Sequence, residues 1–230
     1  MKDTNPLAAL KQQGYVILPG IFPAEFLDRT LGEISRFAPR PSRAGVRHAL
    51  GVGPVTEMAR CPQLVALVCR ALGQASFPFH ATLFEKTPAS NWLVVWHQDT
   101  ALPLSERREI AGWGPWSVKQ GIPYAHAPAS VLDEVLALRI HFDESTPDNG
   151  PLRVLPGTHG RGVLSDDAIH ELSATVSAVE CVVPKGGVVA MHPLVVHSSS
   201  KSRSRTARRV LHIEYAAWES IVSPLRLAIA

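Results

Sequence analysis

Apolar positions change their period about a third of the way along the chain. Phe26, Leu27, Leu31, Ile34 and Phe37 recur at helical spacing behind Pro23, where a helix would begin, and Pro39 and Pro41 end the run. Leu64, Val65, Val68 and Leu72 predict a second helix over Pro62–Leu72, with Gly73 placed as its C-cap. Ahead of both, Gly14–Pro19 reads as a short strand closed by Pro-Gly. From about Phe77 the pattern becomes short β-rich runs broken by Pro and Gly, as in a barrel or sandwich. The clearest strands are Ala81–Lys86, Asn91–Gln98, Val135–Asp143, Gly187–His197 and Arg208–Ala216. Thr100–Ser130 has no strong period and predicts a long loop, in which Trp113 and Trp116 need a partner to cover them.

Alternation along two strands adds a prediction. Leu136, Leu138, Ile140 and Phe142 share one face, opposite Ala137, Arg139, His141 and Asp143. Arg209, Leu211, Ile213 and Tyr215 likewise oppose Arg208, Val210, His212 and Glu214. A strand with such a polar face can meet solvent or line a polar cavity. Two of them, in a chain that also carries His97-Gln98-Asp99 and a distal His197, favour the cavity.

Composition narrows the class. At 230 residues, 46% hydrophobic and 19% charged, the chain suits one globular domain, with residues 1–76 helical and 77–230 forming the β-core. A net charge of +3 and one basic run, Lys201–Arg209, do not suggest a nucleic-acid binder. Cys61, Cys69 and Cys181 are not at metal spacing and read as reduced thiols of a cytoplasmic protein. The first residues lack the apolar run of a signal peptide, and no stretch reaches the length of a membrane span.

Candidate chemistry centres on Trp96-His97-Gln98-Asp99. On an extended strand His97 and Asp99 project together and Gln98 points away. With His197, 100 residues later, they supply the two imidazoles and one carboxylate of a non-haem Fe(II) facial triad, which leaves positions open for cosubstrate and O₂. His192 is a rival ligand, but five residues from His197 it should face the other way. His159 reads as structural. His126 suits either a substrate role or an exposed position. Asn149-Gly150 signals a tight turn with positive φ. After His197 a Ser/Arg loop leads into a strand that opens with Arg208, whose guanidinium fork can hold a carboxylate.

These segments resemble the phytanoyl-CoA dioxygenase (PhyH-type) family of Fe(II)/2-oxoglutarate-dependent oxygenases. The matching pieces are Gly14–Pro19, Glu85-Lys86-Thr87-Pro88 before Trp96–Asp99, Asn149-Gly150-Pro151-Leu152 through Pro156-Gly157-Thr158-His159, and His197-Ser198-Ser199 with Arg208 eleven residues on. Thr158 stands where the family usually has Ser. The resemblance implies a double-stranded β-helix (jelly roll), with iron on His97, Asp99 and His197. It also implies Arg208 on the 2-oxoglutarate C5 carboxylate, helped by Ser199, with Arg209 on the opposite strand face; Lys86 suits either a surface strand position or the cavity near the cosubstrate. The implied activity couples O₂ and 2-oxoglutarate, releasing succinate and CO₂, to oxidation of a small molecule. Related halogenases lack the carboxylate, so Asp99 points to hydroxylation or desaturation. Gln98, Trp113, Trp116, Arg139, His141 and His212 would then select the substrate, and Arg139 facing the cavity would favour an anionic or carbonyl-bearing one. A metal-dependent cupin-type enzyme would share the triad without needing Arg208, and a jelly-roll binding protein would need neither. The apolar tail Ile221–Ala230 could dock on its own domain or on a second subunit, which leaves oligomeric state open.

Overall fold

Helix α1 (Pro6–Gln13) and strand β1 (Tyr15–Leu18) open the computed structural model, which describes residues 5–38, 45–217 and 225–229. The Asn5 side chain accepts from the Leu7 N–H, and Gly14, at φ 79°, turns the chain out of α1. Helix α2 (Ala24–Phe37) buries Leu27, Leu31 and Ile34 and leaves Phe37 exposed. Pro39 and Pro41 lie outside the described residues. Strand β2 (Gly45–Val46), α3 (Gly53–Ala59) and α4 (Pro62–Leu72) follow, and α4 ends on left-handed Gly73 as its pattern predicts.

The β-core begins with β3 (Ser76–Lys86), β4 (Val94–His97), β5 (Ala101–Pro103), β6 (Trp116–Lys119) and β7 (Ile122–His126). After the short helix α5 (Ala129–Leu132) come β8 (Val135–His141) and β9 (Leu152–Val154). Helix α6 (Asp166–Thr175), β10 (Val179–Cys181), β11 (Val188–Met191), β12 (His197–Ser199) and β13 (Arg208–Ala217) complete it. A six-stranded sheet, ordered β1-β11-β8-β13-β3-β2, faces a four-stranded sheet, β10-β9-β12-β4, in a jelly roll. Every pairing is antiparallel, and β1 and β2 from the helical N-terminal part close the two edges of the larger sheet.

Strand alternation divides the larger sheet as expected. Leu136, Leu138, Ile140, Phe142, Leu211, Ile213 and Tyr215 join Leu27, Ile34, Val55, Leu64 and Val68 in one core beneath the helices. The Tyr215 hydroxyl is satisfied there by the Ala59 carbonyl, 2.9 Å away. Burying such side chains supplies roughly 1.5–3 kcal/mol each, which anchors the helices to the sheet. The other face carries Arg139, Arg208, His212 and Glu214 into a cavity of about 630 Å³.

Two expectations are corrected. Thr100–Ser130 is not a long loop: β5, β7 and β6 form a third antiparallel sheet there. Its strands are three to five residues long, too short to establish a period. Gly187–His197 is not one strand either. Strand β11 ends at Met191, Pro193 interrupts, and the chain turns to enter the smaller sheet as β12. Of the tail, Leu225–Ile229 is described. Leu225 is buried, and Ala228 N–H donates to Pro103 O at 3.1 Å, so this part docks on its own chain. Residues 221–224 and 230 lie outside the description. Among the described residues no helix is long and apolar enough to cross a membrane.

Candidate active site

The β4–β12 ladder pairs His97 with His197 directly. Directly opposed residues of an antiparallel pair project to one face, and the two imidazole centroids lie 4.2 Å apart. Asp99 follows two residues after His97, and its backbone N–H donates to Pro193 O at 2.9 Å. Its carboxylate oxygens lie 3.5 Å from His97 Nε2 and 3.4 Å from His197 Nε2. Each imidazole is oriented by a carbonyl two residues earlier: His97 Nδ1 donates to Val95 O at 2.8 Å, and His197 Nδ1 to Val195 O at 2.9 Å. Both Nε2 atoms therefore face the carboxylate. Burial works against charge on His97 and Asp99. The close pairing outweighs it, holding Asp99 well below the usual carboxylate range and raising His97.

Beside the triad lies a cluster of buried cations. Lys86 and Arg208 are register partners on β3 and β13, and Arg139 reaches in from β8. Arg208 Nε donates to Asn149 O at 3.1 Å. Ser199 Oγ donates to Gly150 O at 2.9 Å and accepts from Lys86 Nζ at 2.7 Å. The Asn149-Gly150 turn thus holds both the arginine and the serine. No carboxylate of the described residues lies within ion-pair distance of Lys86, Arg139 or Arg208. Burial, then Arg208 and Arg139, pushes Lys86 down to about 7, and burial with Arg139 pushes Arg208 down to about 10. Arg209, on the other strand face, pairs with Asp143 at 2.7 Å.

Other expected site residues divide. Arg139 and His212 line the cavity, with Arg139 Nη1 donating to His212 Nδ1 at 3.2 Å, and burial pushes His212 down to about 3. Gln98 also lines the cavity, and both of its amide N–H donors are engaged by backbone carbonyls. It donates to Gly162 O and Leu194 O and accepts from Leu164 N–H, at 2.8–2.9 Å. Trp113 and Trp116 do not line the cavity but pack in a cluster with Leu104, Ala125, Leu225 and Leu227. His141 is outside the lining too. Its Nδ1 meets Ser145 Oγ at 3.0 Å, and its buried Nε2 has no partner. His126 lines the cavity and meets Thr100 Oγ1 at 2.7 Å. His159 packs under Gly14 and contacts Lys11 O at 3.1 Å, a structural position. His192 accepts from Leu194 N–H at 3.1 Å, apart from the triad.

A family model described as phytanoyl-CoA dioxygenase (PhyH) matches residues 10–210. The chain belongs to the PhyH family. The L-proline trans-4-hydroxylase of Streptomyces griseoviridis is 29% identical over 185 residues, 69% of this chain and 61% of that enzyme. A probable alpha-ketoglutarate-dependent hypophosphite dioxygenase of Stutzerimonas stutzeri is 26% identical over 177 residues, 71% of this chain and 53% of that protein. The matches span less than two thirds of either relative's length. EctD from S. alaskensis, solved with 2-oxoglutarate and 5-hydroxyectoine, superposes with a TM-score of 0.71 at 19% identity, covering 96% of this chain and 79% of EctD. That likeness is one of fold.

In this PhyH-family chain the residues fit an iron site. The candidate donor atoms of His97, Asp99 and His197 lie within 4.8 Å of one another, and the carbonyl contacts at Nδ1 leave each Nε2 lone pair for a metal. The neighbouring Lys86, Arg139 and Arg208, which line the cavity, fit an anionic cosubstrate in the same way.

Reading the sequence missed the far end of the cavity. Arg47, His80, Lys119 and Tyr124 line it, together with Glu214. Only Glu214 left a signal, since it shares a strand face with Arg208 and His212. Lys119 and Tyr124 lie in the stretch without a readable period.

Proposed function

We propose that this chain is an Fe(II)- and 2-oxoglutarate-dependent dioxygenase that hydroxylates a small molecule. The observation that carries this reading is the convergence of the His97–Asp99–His197 triad with a buried arginine–lysine pair that lacks a carboxylate of its own. Fe(II) bound at the triad supplies the O₂ activation that couples decarboxylation of 2-oxoglutarate to oxidation of a C–H bond. The balance is one substrate C–H, one 2-oxoglutarate and one O₂ to one alcohol, one succinate and one CO₂.

The protein's own residues perform binding and orientation. Arg208, held by Asn149 O, takes the far carboxylate of 2-oxoglutarate as a fixed fork. Lys86, held by Ser199 Oγ, completes that end. Asp99, held well below the usual carboxylate range by its histidine neighbours, is presented as an ionised ligand. Gln98 fixes the loop behind the triad. We place one catalytic domain across the described residues, since β1 and β2 of the helical part belong to the catalytic sheet. We place the protein in the cytoplasm on its three free thiols.

Succinate formation tests the activity without a known substrate, because such enzymes turn over 2-oxoglutarate slowly when uncoupled. Iron-loaded protein should release succinate with O₂ uptake, and Asp99→Ala should lose at least 100-fold of that rate. Iron-loaded protein that consumes no 2-oxoglutarate would contradict the reading.

A further inference from the structure

The triad and the buried cations use only part of the cavity. Across β13 and β3 the paired residues run Arg208–Lys86, Val210–Phe84, His212–Thr82 and Glu214–His80. Arg208 and Glu214 are six residues apart on one strand, roughly 20 Å at 3.4 Å per residue. The cavity therefore has a second polar end, away from the arginine–lysine pair.

That end is built around a hydrogen-bonded relay. His80 Nδ1 lies 2.6 Å from Glu214 Oε2, His80 Nε2 lies 3.3 Å from the Tyr124 hydroxyl, and that hydroxyl lies 2.9 Å from His48 Nε2. With neutral histidines every proton finds an acceptor: His48 donates to Tyr124, Tyr124 to His80, and His80 to the carboxylate. Burial lowers His48 and raises Tyr124, in keeping with that state. The relay fixes Glu214 from one side. Among the described residues its second oxygen, Oε1, has no hydrogen bond.

Two cations stand at the same end. Lys119 Nζ lies 4.4 Å from the centroid of the Tyr124 ring, and Arg47 lines the cavity from an exposed position. Neither has a carboxylate within 4.0 Å among the described residues. Lys119 interacts electrostatically with Glu214 and with Asp99, so this end adjoins the triad. A purely anionic ligand would meet the Glu214 carboxylate, and a purely cationic one would meet Arg47 and Lys119. A ligand carrying both charges a few bonds apart complements all three.

We propose that this end of the cavity binds a small amino-acid zwitterion, its carboxylate on Arg47 and Lys119 and its ammonium on Glu214. The inference rests on the dioxygenase reading in one respect: the carbon skeleton between the two charges would be what the triad oxidises. Glu214, Lys119 and Arg47 are then the residues that set substrate class, and the relay through His80, Tyr124 and His48 is what positions Glu214.

The test offers the twenty common L-α-amino acids, with their N-acetyl and carboxamide derivatives, to protein loaded with Fe(II) and 2-oxoglutarate. Thermal unfolding, succinate release and the anaerobic visible band of the iron–2-oxoglutarate complex are recorded in parallel. At least one free amino acid should raise the unfolding temperature and speed succinate release at least tenfold, while derivatives lacking either charge do neither. Glu214→Gln should weaken binding of that amino acid at least tenfold. So should Arg47→Gln, an exposed position where misfolding is not at issue. A band with no response to any amino acid would overturn the zwitterion site and leave the dioxygenase reading standing. So would equal binding of the N-acetyl or carboxamide forms. No band, with a thermal response that Arg47→Gln abolishes, would overturn the dioxygenase reading and support the zwitterion site.

Discussion

His97 and His197 stand opposite each other across the β4–β12 ladder with their ring centroids 4.2 Å apart. Two residues 100 positions apart in sequence are thus brought together by backbone register alone. Each ring is then turned by the carbonyl two residues before it, Val95 O or Val195 O. The protein's own backbone contacts thus orient both imidazoles towards the Asp99 carboxylate.

Gln98, between the two ligands of the motif, makes three hydrogen bonds to the backbone of segments remote in sequence. Gln98→Ala should lower stability by about 3 kcal/mol, because it strands buried carbonyl and amide groups. It should also weaken iron binding through disorder of Asp99. Urea unfolding and a metal titration check both. Unchanged stability would show that these contacts are replaced by water.

Gly150 sits at φ 68°, and a Cβ there would come within 2.4 Å of Ser200 O and 3.2 Å of Lys86 Nζ. Gly150→Ala should cost about 1–3 kcal/mol from backbone strain and displace Ser199 and Arg208 together. The dissociation constant for 2-oxoglutarate should rise at least tenfold, measured by calorimetry on the metal-loaded protein. Wild-type affinity in that variant would separate the turn from the cosubstrate site.

Lys86 carries a consequence for pH. Its folded value is about 7, against 10.5 when free, so between those limits the folded protein holds it largely neutral. An anion bound beside it favours the ammonium, so 2-oxoglutarate should bind with proton uptake at pH 8 and lose affinity as pH rises from 7 towards 10. Calorimetry in two buffers of different ionisation enthalpy counts the protons. In Lys86→Met the uptake should vanish. Proton release, or none, in the wild type would contradict this assignment.

His192 predicts the acid limit. Burial, then His159, pushes it down to about 4, whereas the unfolded chain titrates near 6.5. Between these values the unfolded state binds the proton and the folded state does not. Stability is therefore fully present above pH 6.5 and falls towards pH 4 by up to about 1.4 kcal/mol per pH unit. His212, pushed down to about 3, adds to the same trend. Urea unfolding at pH 7, 5.5 and 4.5 should show a shallower acid slope in His192→Asn, which keeps an acceptor for Leu194 N–H. An identical slope would remove His192 from the account.

Much of this was legible where a periodic pattern coincided with chemistry. Alternation along β8 and β13 separated Leu136, Leu138, Leu211 and Ile213 from Arg139, Arg208 and His212, and the fold keeps that division. The tight turn at Asn149-Gly150 was legible as a turn, but its grip on Arg208 and Ser199 was not, since those contacts span 49 to 59 residues. The third sheet was hidden because Trp116–Lys119 leaves Ser117 and Val118 exposed and shows no inward face. The partnership of His80 with Glu214 spans 134 residues and leaves no local trace. Trp113 and Trp116 have the partner their size demanded, but it is the tail and the third sheet rather than the cavity.

The central claim is that the triad and Arg208 together hold iron and 2-oxoglutarate. Anaerobic titration of metal-free protein with Fe(II), then 2-oxoglutarate, tests it most directly through the visible charge-transfer band of the chelate. A band should appear at one equivalent of each, be absent in His97→Ala, and require at least tenfold more 2-oxoglutarate in Arg208→Ala. Iron binding without any band would contradict the account in favour of a cupin-type enzyme that does not use 2-oxoglutarate, and no iron binding would contradict it altogether.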